Sequence, residues 1–209
     1  FLYMFIPNYL MKIEEYLDGE IKAGPFSGDE AIELITAIAN FHSNPLNRDM
    51  PNHQSTLFFK YKKNAPTKLP TGFENKLLDK YDILCSDIGL SLCHNAIYHN
   101  HIVFTSGGVR LLDSRFVFPN LGYLELASVF NQFNSDPTTI KKGISVYSSI
   151  TGKPLILYQD MLDLMALQNA FEYYRCSGFH QVYGQRKYAL RAQKAKMAFL
   201  NAFDISIQG

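Results

Sequence analysis

Apolar residues recur every three or four positions over residues 27–42, and this spacing predicts the clearest helix of the chain. Ser27 and Glu30 have the spacing of a capping box at its N-terminus. Pro45 follows the pattern, and proline does not continue a helix. The same periodicity predicts a second helix over residues 72–90.

The pattern after Pro119 is helical to the end of the chain, interrupted only by turn-favouring residues. The predicted segments are 121–134, 137–150, 155–176 and 180–203, the last two separated at Ser177 and Gly178. Residues 155–176 are apolar on nearly all sides, which is typical of a buried central helix. We therefore expect a mostly helical domain.

Shorter periods indicate extended structure elsewhere. Residues 1–17 predict two extended segments, and a turn is expected at residues 18–19. Residues 102–112 predict a two-stranded hairpin around a Gly-Gly turn. Residues 43–71 hold four prolines and predict a long connection with a short ordered piece around residues 57–61. The predicted fold class is α+β, mostly helical, with a small central β-hairpin.

Composition narrows the choice of partner. The chain has 209 residues, 47% hydrophobic and 19% charged, which is typical of a globular domain. A net charge of +1 provides no broad field for nucleic acid, and no apolar run reaches the roughly 20 residues of a membrane span. We expect no membrane or nucleic-acid partner, and composition leaves both a small molecule and a protein open as the partner. Three scattered cysteines favour a reducing, cytoplasmic location. We expect Phe1 to be an arbitrary boundary.

Residues 93–113 concentrate the polar and unusual residues of the chain. They run Cys-His-Asn-Ala-Ile-Tyr-His-Asn-His, then the predicted hairpin, and end on Asp113. This order resembles the superfamily of small-molecule kinases that includes aminoglycoside phosphotransferases and choline kinases. The catalytic loop of that superfamily has the form His-x-Asp-x-x-x-x-Asn, and the following hairpin leads to a metal-binding Asp.

Three further segments agree with this resemblance in their order and spacing. Residues 122–127 look like the Asp-Pro-x-x-Asp-Leu-Ala start of the next helix in the family. Residues 11–19 resemble the strand and hinge between the two kinase lobes. Residues 37–42 resemble the Leu-His signature that ends the first large helix of the C-lobe. The resemblance implies the end of an N-lobe and a hinge over residues 1–19, and a kinase-like C-lobe over residues 20–209.

The resemblance also implies a set of site residues and cofactors. An active relative would use ATP and Mg²⁺ to phosphorylate a hydroxyl of an amino alcohol, a sugar or an aminoglycoside. The implied positions are His94, Asn95 and Ala96 in the catalytic loop, Asp113, His101 and Asn100 at the metal, and Glu15, Tyr16 and Leu17 at the adenine.

Several positions depart from the family pattern. Ala96 stands where the family has its catalytic Asp, and it can accept no proton. His101 stands at the metal-binding Asn, with Asn100 one position earlier, and imidazole suits Mg²⁺ poorly. Leu121 replaces an Asp at the start of the next helix. The sequence contains at most the last hairpin of an N-lobe, without its glycine-rich loop.

These departures favour a degenerate kinase, either a pseudokinase or a very weak enzyme. One alternative is a non-catalytic binding or scaffold module that reuses the C-lobe. The other is an active kinase with a relocated base, such as Asp87 or Glu125. The three hypotheses differ in nucleotide binding and in the effect of restoring an aspartate at position 96.

The same residues also fit simpler, structural roles. We expect His94 to be structural, bonded to the backbone near Asp113, although a zinc site built from His94, His99 and His101 is an alternative. Asp113 has a second interpretation as a turn cap. We expect Glu125 to be a solvated or capping residue. Cys85 and Cys93 are expected to be small core residues, and the basic residues from 186 to 196 to form a solvated helix face.

Overall fold

The computed structural model describes residues 2–6, 9–13, 18–22, 26–45, 54–113, 116–133 and 135–203. The helices are α1 Gly28–His42, α2 Gln54–Asn64, α3 Thr71–Ile88, α4 Gly122–Gln132, α5 Pro137–Thr151, α6 Tyr158–Tyr183 and α7 Arg186–Asn201. The strands are β1 Leu2–Ile6, β2 Tyr9–Ile13, β3 Gly19–Glu20, β4 Ser91–Cys93, β5 Ile102–Thr105, β6 Gly108–Leu111 and β7 Phe118–Asn120. The predicted class, α+β and mostly helical, is confirmed.

The first predicted helix forms as its sequence indicates. The Ser27 hydroxyl accepts from the Glu30 amide at 3.2 Å, and the Glu30 carboxylate accepts from the Ser27 amide at 2.9 Å. This reciprocal pair satisfies two amides that the first turn would leave without partners. Leu34, Ile35 and Ile38 are completely buried on the inner face of α1, which packs against α5.

Three small antiparallel sheets accompany the helices, in the orders β1-β2, β3-β5-β6 and β4-β7. The predicted hairpin is present as β5 and β6, with Phe104 opposite Val109. The turn expected at residues 18–19 is wrong, because Gly19 lies in β3 opposite Thr105. A Cβ on Gly19 would lie 2.5 Å from the Phe104 carbonyl oxygen, so glycine is what permits this close pairing. The domain division at residue 19 stays a prediction.

Helix α6 is the centre of the helical layer and packs against α2, α3, α4 and α7. The break predicted at Ser177 and Gly178 is wrong, because the helix continues through both residues, which are buried. Tertiary packing outweighs the roughly 1 kcal/mol helix cost of one glycine. The helix ends instead at Gly184, whose φ of 64° is the left-handed conformation that favours glycine at helix ends.

The connection over residues 43–71 is more ordered than its prolines suggest, because α2 includes and extends the predicted ordered piece at residues 57–61. Phe58 is buried against α6, with its ring 5.6 Å from the Tyr174 ring. The prediction of a buried helix over residues 155–176 is wrong at its start, where Leu155 and Leu157 lie. They precede α6 and are 63% and 71% exposed.

None of the helices in the described part of the chain combines the length and the apolar character needed to cross a bilayer.

Gly122 sits where α4 begins, pressed between α1 and α5. Its Cα faces the hydrogen bond of 2.8 Å between His42 Nδ1 and the Tyr147 hydroxyl. A Cβ on Gly122 would lie 2.8 Å from His42 Nδ1 and would overlap the Tyr147 hydroxyl oxygen. The close approach of these three helices therefore depends on glycine at this position.

We expect Gly122→Ala to lower the free energy of unfolding by about 1–3 kcal/mol, the range for inserting a methyl group into a filled core. Urea unfolding followed by circular dichroism measures this change. Gly178→Ala is the matched control, since a Cβ there meets no atom within 4 Å. It should raise the stability by roughly 0.5–1 kcal/mol through the higher helix propensity of alanine. Equal stability of Gly122→Ala and the unmodified protein would contradict the packing argument.

Candidate functional site: a catalytic-loop-like turn beside an aromatic cleft

The loop after β4 is fixed by Asn95. Its φ of 59° lies in the left-handed region, which asparagine tolerates better than most residues. Its side-chain amide lies 2.9 Å from the Cys93 carbonyl oxygen and 3.0 Å from those of Phe116 and Phe118. The Asn120 amide donates to the Asn95 side-chain oxygen at 2.7 Å. Asn95 therefore ties the loop to β7 and acts as a structural residue.

Glu125 of α4 holds the same loop from below. Its side chain is 2% exposed, and its carboxylate accepts from the backbone amides of His94, at 3.0 Å, and of Asn95. His42 Nε2 lies 2.6 Å from Glu125 Oε2, the same oxygen that accepts from the His94 amide. Burial alone would raise the pKa of Glu125, but the His42 bond and the backbone amides hold the pKa below its ordinary value. The expectation of a solvated or capping Glu125 is wrong.

Two motif segments of the sequence already contained Glu125 and His42, the two residues of this buried contact. Glu125 falls on the second acidic position of the segment at 122–127, and His42 ends the Leu-His segment at 37–42. Periodicity gave no reason to join them, because the two residues are 83 positions apart. The contact exists because α1 and α4 face each other across Gly122.

His42, Cys93 and Glu125 place their ligand atoms within 4.8 Å of one another, as residues at a metal centre do. Their donor atoms are already used internally. Both His42 nitrogens and both Glu125 oxygens have hydrogen-bond partners. Burial raises the pKa of the Cys93 thiol well above its ordinary value, and its sulfur lies 3.5 Å from the Asn120 carbonyl oxygen. This group is a hydrogen-bonded core cluster.

His94 makes the backbone contact expected of a structural histidine. Its Nε2 lies 2.7 Å from the Leu112 carbonyl oxygen, so this nitrogen carries the proton and donates. The residue is 2% exposed, with its ring 6.5 Å from the His101 ring. The bond joins the start of the loop to the residue just before Asp113, so loop and hairpin form one unit.

Asp113 follows β6 with a φ of 66°, and its side chain is 15% exposed. His101 faces it: the imidazole donates from Nδ1 to the Ala96 carbonyl oxygen at 2.7 Å, which leaves Nε2 3.6 Å from the Asp113 carboxylate. Asn100 is exposed on the 3₁₀ turn of residues 99–101. His101, and not Asn100, is therefore the residue of the implied metal position that faces Asp113.

The donor set at Asp113 does not fit the paired magnesium ions of a kinase. It offers carboxylate oxygens from one residue and an imidazole nitrogen from another, whereas Mg²⁺ takes oxygen ligands in a strict octahedron. The zinc alternative is not favoured either, because His99 is exposed and the described residues do not gather His94, His99 and His101 into one ligand group. The adenine positions Glu15, Tyr16 and Leu17 lie outside the described residues.

A cleft with a cavity volume of about 110 Å³ opens beside Ala96, between the loop, β7 and helices α2, α4 and α6. Ala96 is 4% exposed and contributes only a methyl group and its backbone to the wall. The polar and charged residues of the lining are Tyr61, Asn95, Tyr98, Asn120, Glu125, Ser128, Gln168 and Arg175. Aromatic rings form much of the remaining wall, from Phe116, Phe118, Phe171 and Phe179. Aromatic walls with a small number of polar groups are typical of a small-molecule site.

The α6 wall of the cleft was not predicted. Gln168, Phe171, Arg175 and Phe179 recur at intervals of three and four, so they share one helix face, and all four line the cleft. Apolar periodicity could not separate this face from the buried ones, since α6 is hydrophobic on several sides. Arg175, a charged residue on an otherwise mostly apolar helix, was the one sequence feature that indicated this face.

Neither a family model nor a curated protein matches the chain. Solved structures do. The chain is 13% identical to a choline kinase from Cryptosporidium parvum, with a TM-score of 0.64, over 91% of this chain and 70% of that one. An ethanolamine kinase from Plasmodium vivax gives 12% identity and a TM-score of 0.68, over 98% and 68%.

The structure of LicA in complex with AMP gives 14% identity and a TM-score of 0.60, covering 84% of this chain and 62% of that one. Aminoglycoside phosphotransferases are also among the similar structures. The chain therefore has the fold of the C-lobe that choline kinases, ethanolamine kinases and aminoglycoside phosphotransferases share, as the resemblance of its motifs implied.

Proposed function

We propose that this chain is a degenerate small-molecule kinase, which binds nucleotide and an acceptor but transfers a phosphoryl group very slowly or not at all. The observation that carries the proposal is Ala96. The loop around it keeps its hydrogen bonds to α4, β6 and β7, yet the position that should accept the proton of the attacking hydroxyl is a methyl group. A positioned base contributes roughly 10²–10⁴-fold to a rate.

A relocated base receives no support from the neighbouring carboxylates. Glu125 lines the cleft, but His42 and two backbone amides engage its oxygens, and its lowered pKa makes it a weak base. Asp87 is exposed near the end of α3 and is not part of the cleft wall. The degenerate kinase is therefore preferred to an active enzyme with relocated groups.

Nucleotide binding is proposed from the fold together with the AMP held by LicA. The motif resemblance makes Asp113 the counterpart of the metal-binding aspartate of active relatives, and its side chain is 15% exposed. The acceptor, by the same likeness, is a hydroxyl compound bound in the cleft.

The three cysteines are free thiols, which favours the cytoplasm as the place of action.

The second candidate is a binding or scaffold module that has lost the nucleotide. The donor set at Asp113, which does not suit Mg²⁺, favours this alternative. Nucleotide binding separates the two hypotheses, because a ligand that binds only the native state raises the unfolding temperature.

We expect ATP to raise the unfolding temperature of the full natural protein, since a concentration 100 times the dissociation constant adds about 2.7 kcal/mol of stability. Differential scanning fluorimetry measures the shift with Mg²⁺ and again with a chelator. Asp113→Asn should reduce the shift, because it removes the carboxylate nearest the implied phosphate position. Asp82→Asn, a matched change at an exposed site on α3, should leave it unaltered. No shift under either condition would favour the scaffold hypothesis.

We expect Ala96→Asp to raise phosphoryl transfer by roughly tenfold or more, because it returns a proton acceptor to the loop. The assay follows ADP release from ATP with choline, ethanolamine, sugars and aminoglycosides as acceptors. Adding His101→Asn in the same chain should increase the rate further by supplying an oxygen ligand to Mg²⁺.

Ala96→Asn is the matched control, since it has the shape of aspartate without a basic oxygen, and it should show no gain. Turnover of the unmodified protein above about 1 s⁻¹, the low end for kinases, would contradict degeneracy. Equal rates for Ala96→Asp and Ala96→Asn would favour a base located elsewhere.

A further inference from the structure

The cleft beside Ala96 contains a guanidinium group in its wall. Arg175 projects from α6 with a side chain only 16% exposed. It donates from Nε, at 3.0 Å, and from Nη2, at 2.5 Å, to one oxygen of Glu172. In the described part of the chain no acceptor lies on its Nη1. The Arg175 guanidinium group therefore has one nitrogen, Nη1, that is available to donate to a ligand.

The charges around this group do not cancel. Glu172 also binds Arg191 of α7, whose Nη2 lies 2.6 Å from its other oxygen. Two guanidinium groups thus share one carboxylate, and the local sum is positive. Burial acts to lower the pKa of Arg175, but the adjacent Glu172 carboxylate outweighs it and raises the pKa. Arg175 is therefore charged under all physiological conditions.

Two aromatic rings of the cleft wall, those of Tyr98 and Phe179, are already occupied by these cations. The guanidinium carbon of Arg191 lies 4.9 Å from the centre of the Tyr98 ring, and that of Arg175 lies 5.2 Å from it. Arg175 also lies 5.6 Å from the centre of the Phe179 ring. A quaternary ammonium ligand binds proteins through such ring faces. Here it would meet arginine on the rings and like charge beside them.

Glu125 is the acidic residue of the cleft wall in the described part of the chain, and the protein itself engages its carboxylate. Glu125 lines the cleft at the loop end, but its oxygens are bound by His42 and by the amides of His94 and Asn95. Gln168 and Tyr61 add neutral polar groups, and burial raises the pKa of Tyr61, so its hydroxyl stays protonated. In the described part of the cleft wall, Arg175 is therefore the charged group that keeps a hydrogen-bond donor for a ligand.

We propose that the cleft binds a hydroxylated acceptor with an anionic head group, a carboxylate, sulfonate or phosphate, and discriminates against quaternary ammonium compounds. The anion pairs with Arg175, and the hydroxyl lies toward Ala96 at the loop end. This inference rests on the proposed function, because it assigns the acceptor of that same site. It sets this chain apart from the choline and ethanolamine kinases whose fold it shares, since those acceptors are cations.

Three compounds of nearly equal shape and different charge provide the test. Choline carries +1, 3,3-dimethyl-1-butanol carries no charge, and isethionate carries −1, and each has the same hydroxyethyl arm. Saturation-transfer NMR titrations of the full natural protein, without nucleotide, give the three dissociation constants, and 3-hydroxypropionate repeats the anion as a carboxylate. We expect both anions to bind at least tenfold more tightly than choline, with the neutral compound between them.

Substitution of the arginine links the preference to this group. Arg175→Met should weaken isethionate binding by roughly 10- to 100-fold, the loss expected for a charge-assisted hydrogen bond, and should not weaken choline binding. Arg175→Lys keeps the charge and should keep the order of the three ligands. Arg186→Met, which removes an exposed arginine at the start of α7, is the control and should change nothing.

The outcomes separate this inference from the proposed function. Choline binding as tightly as isethionate, or no binding by any compound, overturns the inference even when ATP still raises the unfolding temperature. Anion preference that survives Arg175→Met also overturns it, since another group would then be responsible. Anion preference without an ATP shift supports the inference and counts against nucleotide binding. If Arg175→Met does not fold, the order of the dissociation constants measured for the unmodified protein still tests the predicted preference for anions.

Discussion

The site depends on one buried carboxylate. Glu125 joins α4 to α1 through His42 and to the loop through the amides of His94 and Asn95. A buried charge is stable only when it is paired, and removing one partner of such a pair costs about 3–5 kcal/mol. Because two of its three partners are loop amides, the loop cannot shift without taking those hydrogen bonds away from the buried carboxylate. The geometry around Ala96 and Asp113 therefore follows from an interaction that takes no part in chemistry.

This arrangement separates the shape of the loop from its reactivity. Asn95 and His94 hold the backbone through the carbonyl oxygens of Cys93, Leu112 and Phe118, so position 96 needs no side-chain contact to keep the loop in place. An alanine at this position is therefore compatible with the same loop and the same cleft wall. Under the proposed function, the loop and the pocket persist while the base is absent.

The sequence predicted those features that depend on neighbours along the chain. The capping box of Ser27 and Glu30 and the β5–β6 hairpin are local, and both are present. Features set by distant contacts were missed: Gly178 stays helical because α6 is packed on several sides, and Gly19 pairs with Thr105 across the chain. Motif order identified the loop and Asp113 because those positions are fixed relative to one another. It could not identify the burial of Glu125, which arises only when α1 meets α4.

The charge of the cleft illustrates the same limit at the level of function. Arg175 and Arg191 are 16 positions apart on different helices, and a net charge of +1 for the whole chain gives no hint that they share one carboxylate. Only the packing of α6 on α7 brings both guanidinium groups to the Tyr98 ring. Under the proposed function, position 96 determines whether the protein can catalyse, and the α6–α7 pair determines which ligand it binds. The loop after β4 and this helix pair are separate parts of the fold. A change at position 96 therefore leaves the charge at Arg175 in place, so a protein without the base can still bind a specific ligand.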